Sequence, residues 1–341
     1  MIEREENNEQ LVHVPDEVCE IEGRFDFTLR PTSFDDYIGQ DEIKDNLKIF
    51  IEACSRRAEP LEHLLLHGAP GLGKTTLANI VAKEMGVTIK TTSGPALEKQ
   101  GDIAALLTNL QDKDILFIDE IHRLKPQIEE ILYTAMEDFA IDIILGKGPS
   151  ARMMRLNLPR FTLIGATTKM SMLSSPLRDR FGHVFKLEYY SEDHIFQIID
   201  RSARLFEMKI DPKAAEKVAC CSRQTPRIAN RLLRRVRDFA EVHNVKLIDM
   251  PTVKEALKRL GVDALGLDST DRNILKTLIE RYKGGPVGLG TLSAAIAEEE
   301  DTLESIYEPY LLQLGLIERT QRGRLATEKA FQHLGIFPAV E

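Results

Sequence analysis

Leu64-Leu-Leu-His-Gly68-Ala-Pro-Gly71-Leu-Gly73-Lys74-Thr75-Thr76-Leu77-Ala-Asn-Ile80-Val81 decides the fold of this chain. Its centre satisfies the pattern G-x-x-x-x-G-K-[ST], a loop whose backbone N–H groups turn inward around phosphate oxygens. The flanks supply the context that the pattern requires. Leu64–Leu66 is an apolar strand entering the loop, and Leu77, Ile80 and Val81 fall on one face of a helix leaving it. Lys74 is expected at the β- and γ-phosphates and Thr75 at Mg²⁺, with Gly71, Gly73 and Thr76 completing the nucleotide-binding loop. The helix N-terminus adds partial positive charge at the same point.

Downstream, Ile115-Leu-Phe-Ile118-Asp119-Glu120 reads as an apolar strand ending in two carboxylates. Open α/β sheets bind ligands at the carboxyl ends of their strands. Asp119 is suited to hold Mg²⁺, and Glu120 to orient and deprotonate an attacking water. Paired with the phosphate loop, these carboxylates point to a nucleoside triphosphatase. Phe161-Thr-Leu-Ile164-Gly-Ala-Thr167-Thr168 is a further strand ending in hydroxyls, which fits either an ST-turn or a group near the γ-phosphate. The arginines of Leu177-Arg178-Asp-Arg180-Phe-Gly182 are either solvated helix-end charges or a finger reaching a neighbouring subunit's nucleotide.

Strand-like runs at Leu64–Leu66, Ile115–Ile118 and Phe161–Ile164 alternate with helical patterns up to Tyr190, which implies an α/β fold with a parallel sheet. Beyond Tyr190 the strands stop. Residues 1–23 read as a flexible polar arm, 24–190 as a large α/β domain and 191–261 as a small helical bundle. In that bundle, Ser191-Glu-Asp, Pro212, Pro226 and Met250-Pro251 mark helix starts. Residues 262–341 hold three helical patterns and then a strand–turn–strand with Arg319, Arg322 and Arg324 at the turn, the layout of a winged helix.

The 45 basic and 54 acidic residues give a net charge of −9, which taken alone argues against a nucleic-acid partner. The charge is uneven: 1–190 is net −9, 191–261 net +5 and 262–341 net −5. The average therefore excludes nothing about DNA. No apolar run approaches the roughly 20 residues of a membrane span, and Met1–Gln10 lacks the apolar core of a signal peptide. A soluble cytoplasmic protein is expected. The cysteines Cys19, Cys54, Cys220 and Cys221 form no C-x-x-C pair or zinc pattern and read as reduced thiols.

Taken together, the phosphate loop, Asp119-Glu120-Ile-His122, Gly165-Ala-Thr-Thr168 and Leu177-Arg-Asp-Arg-Phe-Gly182 resemble the AAA+ ATPases. More narrowly the chain resembles the RuvB family of Holliday-junction branch-migration motors. The narrower likeness rests on Leu29-Arg30-Pro31, Asp36-Tyr-Ile-Gly-Gln40, Thr91-Thr-Ser-Gly-Pro95 and Ala135-Met-Glu-Asp-Phe139. It continues through Gly146-Lys-Gly-Pro149, Arg234-Arg-Val-Arg-Asp-Phe239 and Gly284-Gly-Pro-Val-Gly-Leu289 to the stretch from Arg319 to Thr327. One departure is Ala69, where proline is commoner in the family.

The resemblance implies an AAA+ large domain, a helical lid and a C-terminal winged helix. It also implies a homo-hexameric ring that hydrolyses ATP with Mg²⁺ to move double-stranded DNA during recombination, repair and the SOS response. A RuvA-like junction-binding protein and a RuvC-like resolvase are the implied partners. By motif, Glu120 is the water-activating residue, Thr168 the first sensor, Arg180 the trans finger and Arg227 the second sensor. Leu29, Arg30, Glu137, Asp138, Phe139 and Tyr190 match positions lining the nucleotide, and Arg319 and Arg324 the DNA-contacting arginines.

Two further features bear on this reading. Arg223, Arg227, Arg231 and Arg235 recur every four residues, which predicts a basic stripe on one helix face. The alternation over Met154–Leu158 predicts a hairpin, with Met154 and Leu156 as apolar anchors for the RuvA-like partner. Competing readings are a clamp-loader-like ATPase and a nucleotide-gated winged-helix regulator. The terminal winged helix disfavours the first, and Glu120 with Arg180 disfavours the second.

Overall fold

The structure, a computed structural model, describes residues 29–145 and 152–336. The expected arm at 1–23 and the Gly146–Pro149 motif lie outside the described residues. Five parallel strands make the central sheet: β1 (Leu64–His67), β2 (Ile89–Ser93), β3 (Ile115–Asp119), β6 (Thr162–Thr167) and β7 (His183–Lys186), in the order β2-β3-β6-β1-β7. The three strands expected from sequence are the central ones. Their side chains are buried almost throughout, as the near-continuous apolar runs require. The sequence reading missed β2 and β7 because they are edges. Ile-Lys-Thr-Thr-Ser and His-Val-Phe-Lys leave one side half wet and carry no apolar run.

Helices α1 (Asp41–Arg57) and α2 (Lys74–Met85) cover one sheet face, while α3 (Gln100–Thr108), α4 (Pro126–Asp138) and the short α5 (Ser175–Arg178) cover the other. Between α4 and β6, strands β4 (Ala140–Leu145) and β5 (Arg152–Asn157) pair as an antiparallel hairpin, with Ile141 opposite Leu156 and Ile143 opposite Met154.

The helical unit comprises α6 (Glu192–Leu205), α7 (Pro212–Cys220), α8 (Pro226–Val242) and α9 (Met250–Arg259). Its caps are those the sequence announces. Ser191 Oγ accepts from the His194 N–H at 3.1 Å, Asp211 caps α7, and Pro212 and Pro226 stand in first turns. Ala229, Leu232, Leu233 and Val236 of α8 join the same core as α1 and α2, so this unit is packed onto the sheet domain. Arg223 breaks the expected stripe. It precedes α8 with a positive φ of 50°, so the exposed row holds Arg227, Arg231 and Arg235 alone.

The C-terminal unit has its own core. It contains α10 (Ser269–Lys276, continuing as the π-helical Thr277–Arg281) and α11 (Leu289–Ile296). Next comes α12, formed by Glu300–Thr302, the π-helical Leu303–Tyr307 and Glu308–Gln313. β8 (Ile317–Thr320) and β9 (Gly323–Ala326) form the wing, and α13 (Glu328–Leu334) closes the domain. Arg223 ties this unit to the helical one. Its buried guanidinium donates to the Gly266 carbonyl at 3.1 Å and to Asp268 at 2.8 Å, pairs with Asp271, and lies over the Tyr310 ring. No helix among the described residues is long and apolar enough to cross a membrane.

Candidate nucleotide site and wing

The phosphate loop after β1, Asp119-Glu120 after β3 and Thr167-Thr168 after β6 meet at the same carboxyl edge of the sheet, because those strands are adjacent and in register. The phosphate loop, Asp119, Glu120 and Thr168 line a cavity of about 370 Å³, of a size that takes a small ligand. Gly73 begins α2 at φ 100°, and a Cβ there would come within 2.8 Å of the Tyr37 hydroxyl, so both geometry and space demand glycine. Lys74 Nζ donates to the carbonyls of Gly68 and Ala69 at 2.8 and 2.9 Å. Burial pulls its ammonium down to about 8; Asp119 opposes that shift and Arg227 adds to it.

Thr75 Oγ1 donates to Asp119 Oδ2 at 3.3 Å. A hydroxyl and a carboxylate beside a phosphate loop are hard oxygen donors that suit Mg²⁺, which completes its shell with water and phosphate oxygens. The described residues hold no cluster of three or more His, Cys, Asp or Glu able to bind a metal without such a ligand. Glu120 sits in the left-handed region at φ 48°, and its carboxylate accepts from Arg123 at 3.1 Å. Thr167 is buried: its hydroxyl meets His122 Nδ1 at 3.0 Å and accepts from the Lys169 N–H at 3.0 Å, which aims the turn carrying Thr168 into the cavity.

Leu29, Arg30, Gly71, Gly73, Lys74, Thr75, Thr76, Asp119, Glu120, Thr168, Tyr190 and Arg227 all line this cavity. Arg227 arrives on the first turn of α8, whose N–H reaches the Gly71 carbonyl at 3.4 Å. The sequence reading gave no role to Asp36, Tyr37, Ile38, Ser93, Ile198, Arg201, Ser202 or Asn230, which line it as well. Tyr37 and Tyr190 join hydroxyls at 3.2 Å over the Leu72 carbonyl, and Arg201 donates to the Leu29 carbonyl at 2.9 Å. Asp36 and Tyr37 stand in a motif that signals the family without naming a role; the residues on α6 and α8 carry no motif.

Four residues expected at the nucleotide lie elsewhere. Arg180 donates to Glu137 at 2.8 Å and to the Pro176 carbonyl at 2.9 Å, with its guanidinium over the Tyr133 ring. Glu137 and Asp138 end α4 on that same side, and Asp138 is held by Arg155 at 2.6 Å. Phe139 packs edge-on against Phe161 in the second core. None of the four lines this subunit's cavity, because α4 lies on the opposite sheet face from α2 and the helical unit.

On the wing, Arg319 and Arg324 stand directly opposite each other across β8 and β9, a repulsive pairing that needs anions. Glu304 holds the exposed Arg319 at 2.7 Å. Glu308 takes Arg324 through two donors at 2.8 and 3.0 Å. Arg324 is 7% exposed, so this structure does not present it as a surface contact; Arg322, in the two-residue turn, is exposed. On the hairpin, Met153 and Met154 are 72% and 41% exposed. Leu156, half-buried, packs against the second core opposite Ile141, so it offers a partner less surface than Met153 and Met154 do.

Residues 29–187, 190–263 and 264–335 match three domain families in turn. These are the Holliday junction DNA helicase RuvB P-loop domain, the RuvB AAA lid domain and the RuvB C-terminal winged helix domain. A relative in Dehalococcoides mccartyi (strain CBDB1), the Holliday junction branch migration complex subunit RuvB, is 58% identical over 92% of this chain and 90% of its own length. The solved Thermotoga maritima RuvB Holliday junction branch migration motor superposes with a TM-score of 0.84 at 49% identity, covering 91% of this chain and 99% of its own. The Aeropyrum pernix ORC2 protein, at 16% identity and TM-score 0.54, covers 85% of this chain and 90% of its own and shares the fold.

Proposed function

The chain belongs to the RuvB family of Holliday-junction branch-migration motors, and from that premise we propose which residues run the motor and in what assembly. It is an AAA+ ATPase that drives branch migration on DNA as a subunit of a branch migration complex with a RuvA partner. The observation that carries the residue assignments is the convergence of the phosphate loop, Asp119-Glu120, Thr168 and Arg227 on one cavity.

Lys74 leaves the carbonyls of Gly68 and Ala69 for the β- and γ-phosphate oxygens, and the loop N–H groups and α2 N-terminus supply the remaining donors. Thr75 and Asp119 hold Mg²⁺, which when bound neutralises charge between the phosphates. Glu120 exchanges Arg123 for the attacking water, orients it and takes its proton. Thr168 hydrogen-bonds on the γ-phosphate side. Arg227 reports the nucleotide to the lid, since its own helix docks on Gly71.

Arg180, with Glu137 and Asp138 beside it, serves the nucleotide of the next subunit, a reading supported by their absence from the lining of their own cavity. That arrangement needs a closed ring, and a hexamer is the form we propose. The wing meets duplex DNA through Arg319 and Arg322, and through Arg324 once Glu308 releases it. Met153 and Met154 face the RuvA partner, a RuvC-like resolvase joins at the junction, and the work is done in the cytoplasm.

The test is dissociation of a synthetic four-way junction by the protein with a RuvA partner. ATP and Mg²⁺ should be required together, and Glu120→Gln should bind ATP yet dissociate no junction. Dissociation without ATP, or normal turnover by Glu120→Gln, would defeat the assignment.

A further inference from the structure

Asp301 belongs to the winged-helix unit, near the start of α12, yet its carboxylate pairs with Lys169 of the large domain. Lys169 directly follows Thr168, and its N–H donates to the Thr167 hydroxyl that also meets His122. His122 stands two residues after Glu120, whose carboxylate is held by Arg123. Contacts therefore run without a gap from the winged helix to the ATP site. Asp301 is held below the ordinary carboxylate range first by the Lys169 hydrogen bond, with Arg123 acting in the same direction, which places it in the field of the arginine that holds Glu120.

The next turns of α12 hold the wing. Glu304, three residues on from Asp301, takes Arg319, and Glu308, a further turn on, takes Arg324. Just after Asp301 the helix is π-wound over Leu303–Tyr307, a stretch that includes Glu304 and a local form that recurs at functional positions. DNA phosphates that draw Arg319 from Glu304 thus act on the same helix that carries Asp301. The Asp301 side chain is 70% exposed. An exposed pair of this kind contributes little to stability, which suits a contact that is made and broken rather than a permanent fastening.

We propose that Asp301 is a positioning residue for ATP hydrolysis: by holding Lys169 it fixes the Thr167–Lys169 turn that aims Thr168, and through α12 it passes DNA engagement at the wing to the ATP site. The inference rests on the motor reading above. It is tested in the full-length chain by measuring kcat and KM for ATP with and without duplex DNA, and duplex affinity by fluorescence anisotropy.

Asp301→Asn should lower the DNA-stimulated kcat at least fivefold while KM for ATP and DNA affinity stay within twofold. Asp301→Glu should keep the activity, and the exchange Lys169→Asp with Asp301→Lys should regain at least half of the loss. An Asp301→Asn protein with a DNA-stimulated kcat within twofold of the unmodified chain overturns the proposal. So does a loss that neither variant repairs, or one matched by an equal loss of DNA affinity. If the unmodified chain itself shows no DNA-stimulated hydrolysis, it is the motor reading that fails.

Discussion

Lys74 rests its ammonium on two carbonyls at the N-terminus of a helix, where the carbonyls favour the cation and the helix end favours an anion beside it. Its lowered value of about 8 means that the neutral form grows as pH rises through that point, whereas a bound triphosphate favours the charged form. ATP binding should therefore take up protons in this range, about half a proton per site at pH 8 and almost none at pH 6. Calorimetric titrations at pH 8 in buffers of different ionisation enthalpy should give apparent enthalpies that differ in proportion. Buffer-independent enthalpies there would show that Lys74 is already fully charged. The identity of this residue was legible in the sequence because phosphate chemistry fixes a local pattern. Arg201, Ser202 and Asn230 were not, because they reach the cavity from α6 and α8, more than 120 residues along the chain from Lys74, and no local spacing records that meeting.

Two elements behave differently from their sequence patterns for the same reason: charge is read by partners, not by spacing. The arginine row around α8 looked like one face, but Arg223 turns out of the helix and is buried against Asp268 and Asp271. Burial pushes Asp271 up to about 7 even though Arg223 opposes the shift, so the pair is held at a cost in desolvation. Arg223→Ala should lose about 3–5 kcal/mol in thermal or denaturant unfolding by leaving a buried carboxylate without its cation. An effect below about 1 kcal/mol would mean that Asp271 is carried neutral.

The wing divides in the same way. Arg324→Ala leaves the 6%-exposed Glu308 without its guanidinium and should destabilise the winged-helix unit, whereas Arg319→Ala should not. Arg319→Ala should instead weaken duplex binding evenly across sequences and reduce the salt slope by about 1. A sequence-selective loss would point to base reading, and equal unfolding midpoints for the two variants would dissolve the distinction. The central strands were legible because burial on both faces leaves an apolar run; the edges β2 and β7 were hidden by their wet sides.

Over the whole molecule, a net charge of −9 is compatible with DNA because the cations proposed to meet it occupy one small site, the exposed Arg319 and Arg322 of the wing. A ring repeats that site in every subunit, so weak salt-sensitive contacts add up once assembly holds them together. On the proposed reading assembly is equally the condition for hydrolysis, with Arg180, which rests on Glu137 and the Pro176 carbonyl and does not line its own cavity, serving the neighbouring site.

In the proposed ring, Arg180→Ala alone should lose about 10³-fold or more in ATP turnover, the range removed with other arginine fingers. Mixed with an equal amount of unmodified protein it discriminates how the sites cooperate. Independent sites leave about 50% of the original junction dissociation, whereas a motor that needs all six fingers retains only about 2%. A finger that completes the neighbouring subunit's site couples adjacent subunits directly, which favours the second outcome. Titrating the variant into a fixed amount of unmodified protein, and following four-way junction dissociation, gives the curve directly. A curve that falls no faster than simple dilution, together with full turnover by the homogeneous variant, would place the finger in a residue other than Arg180.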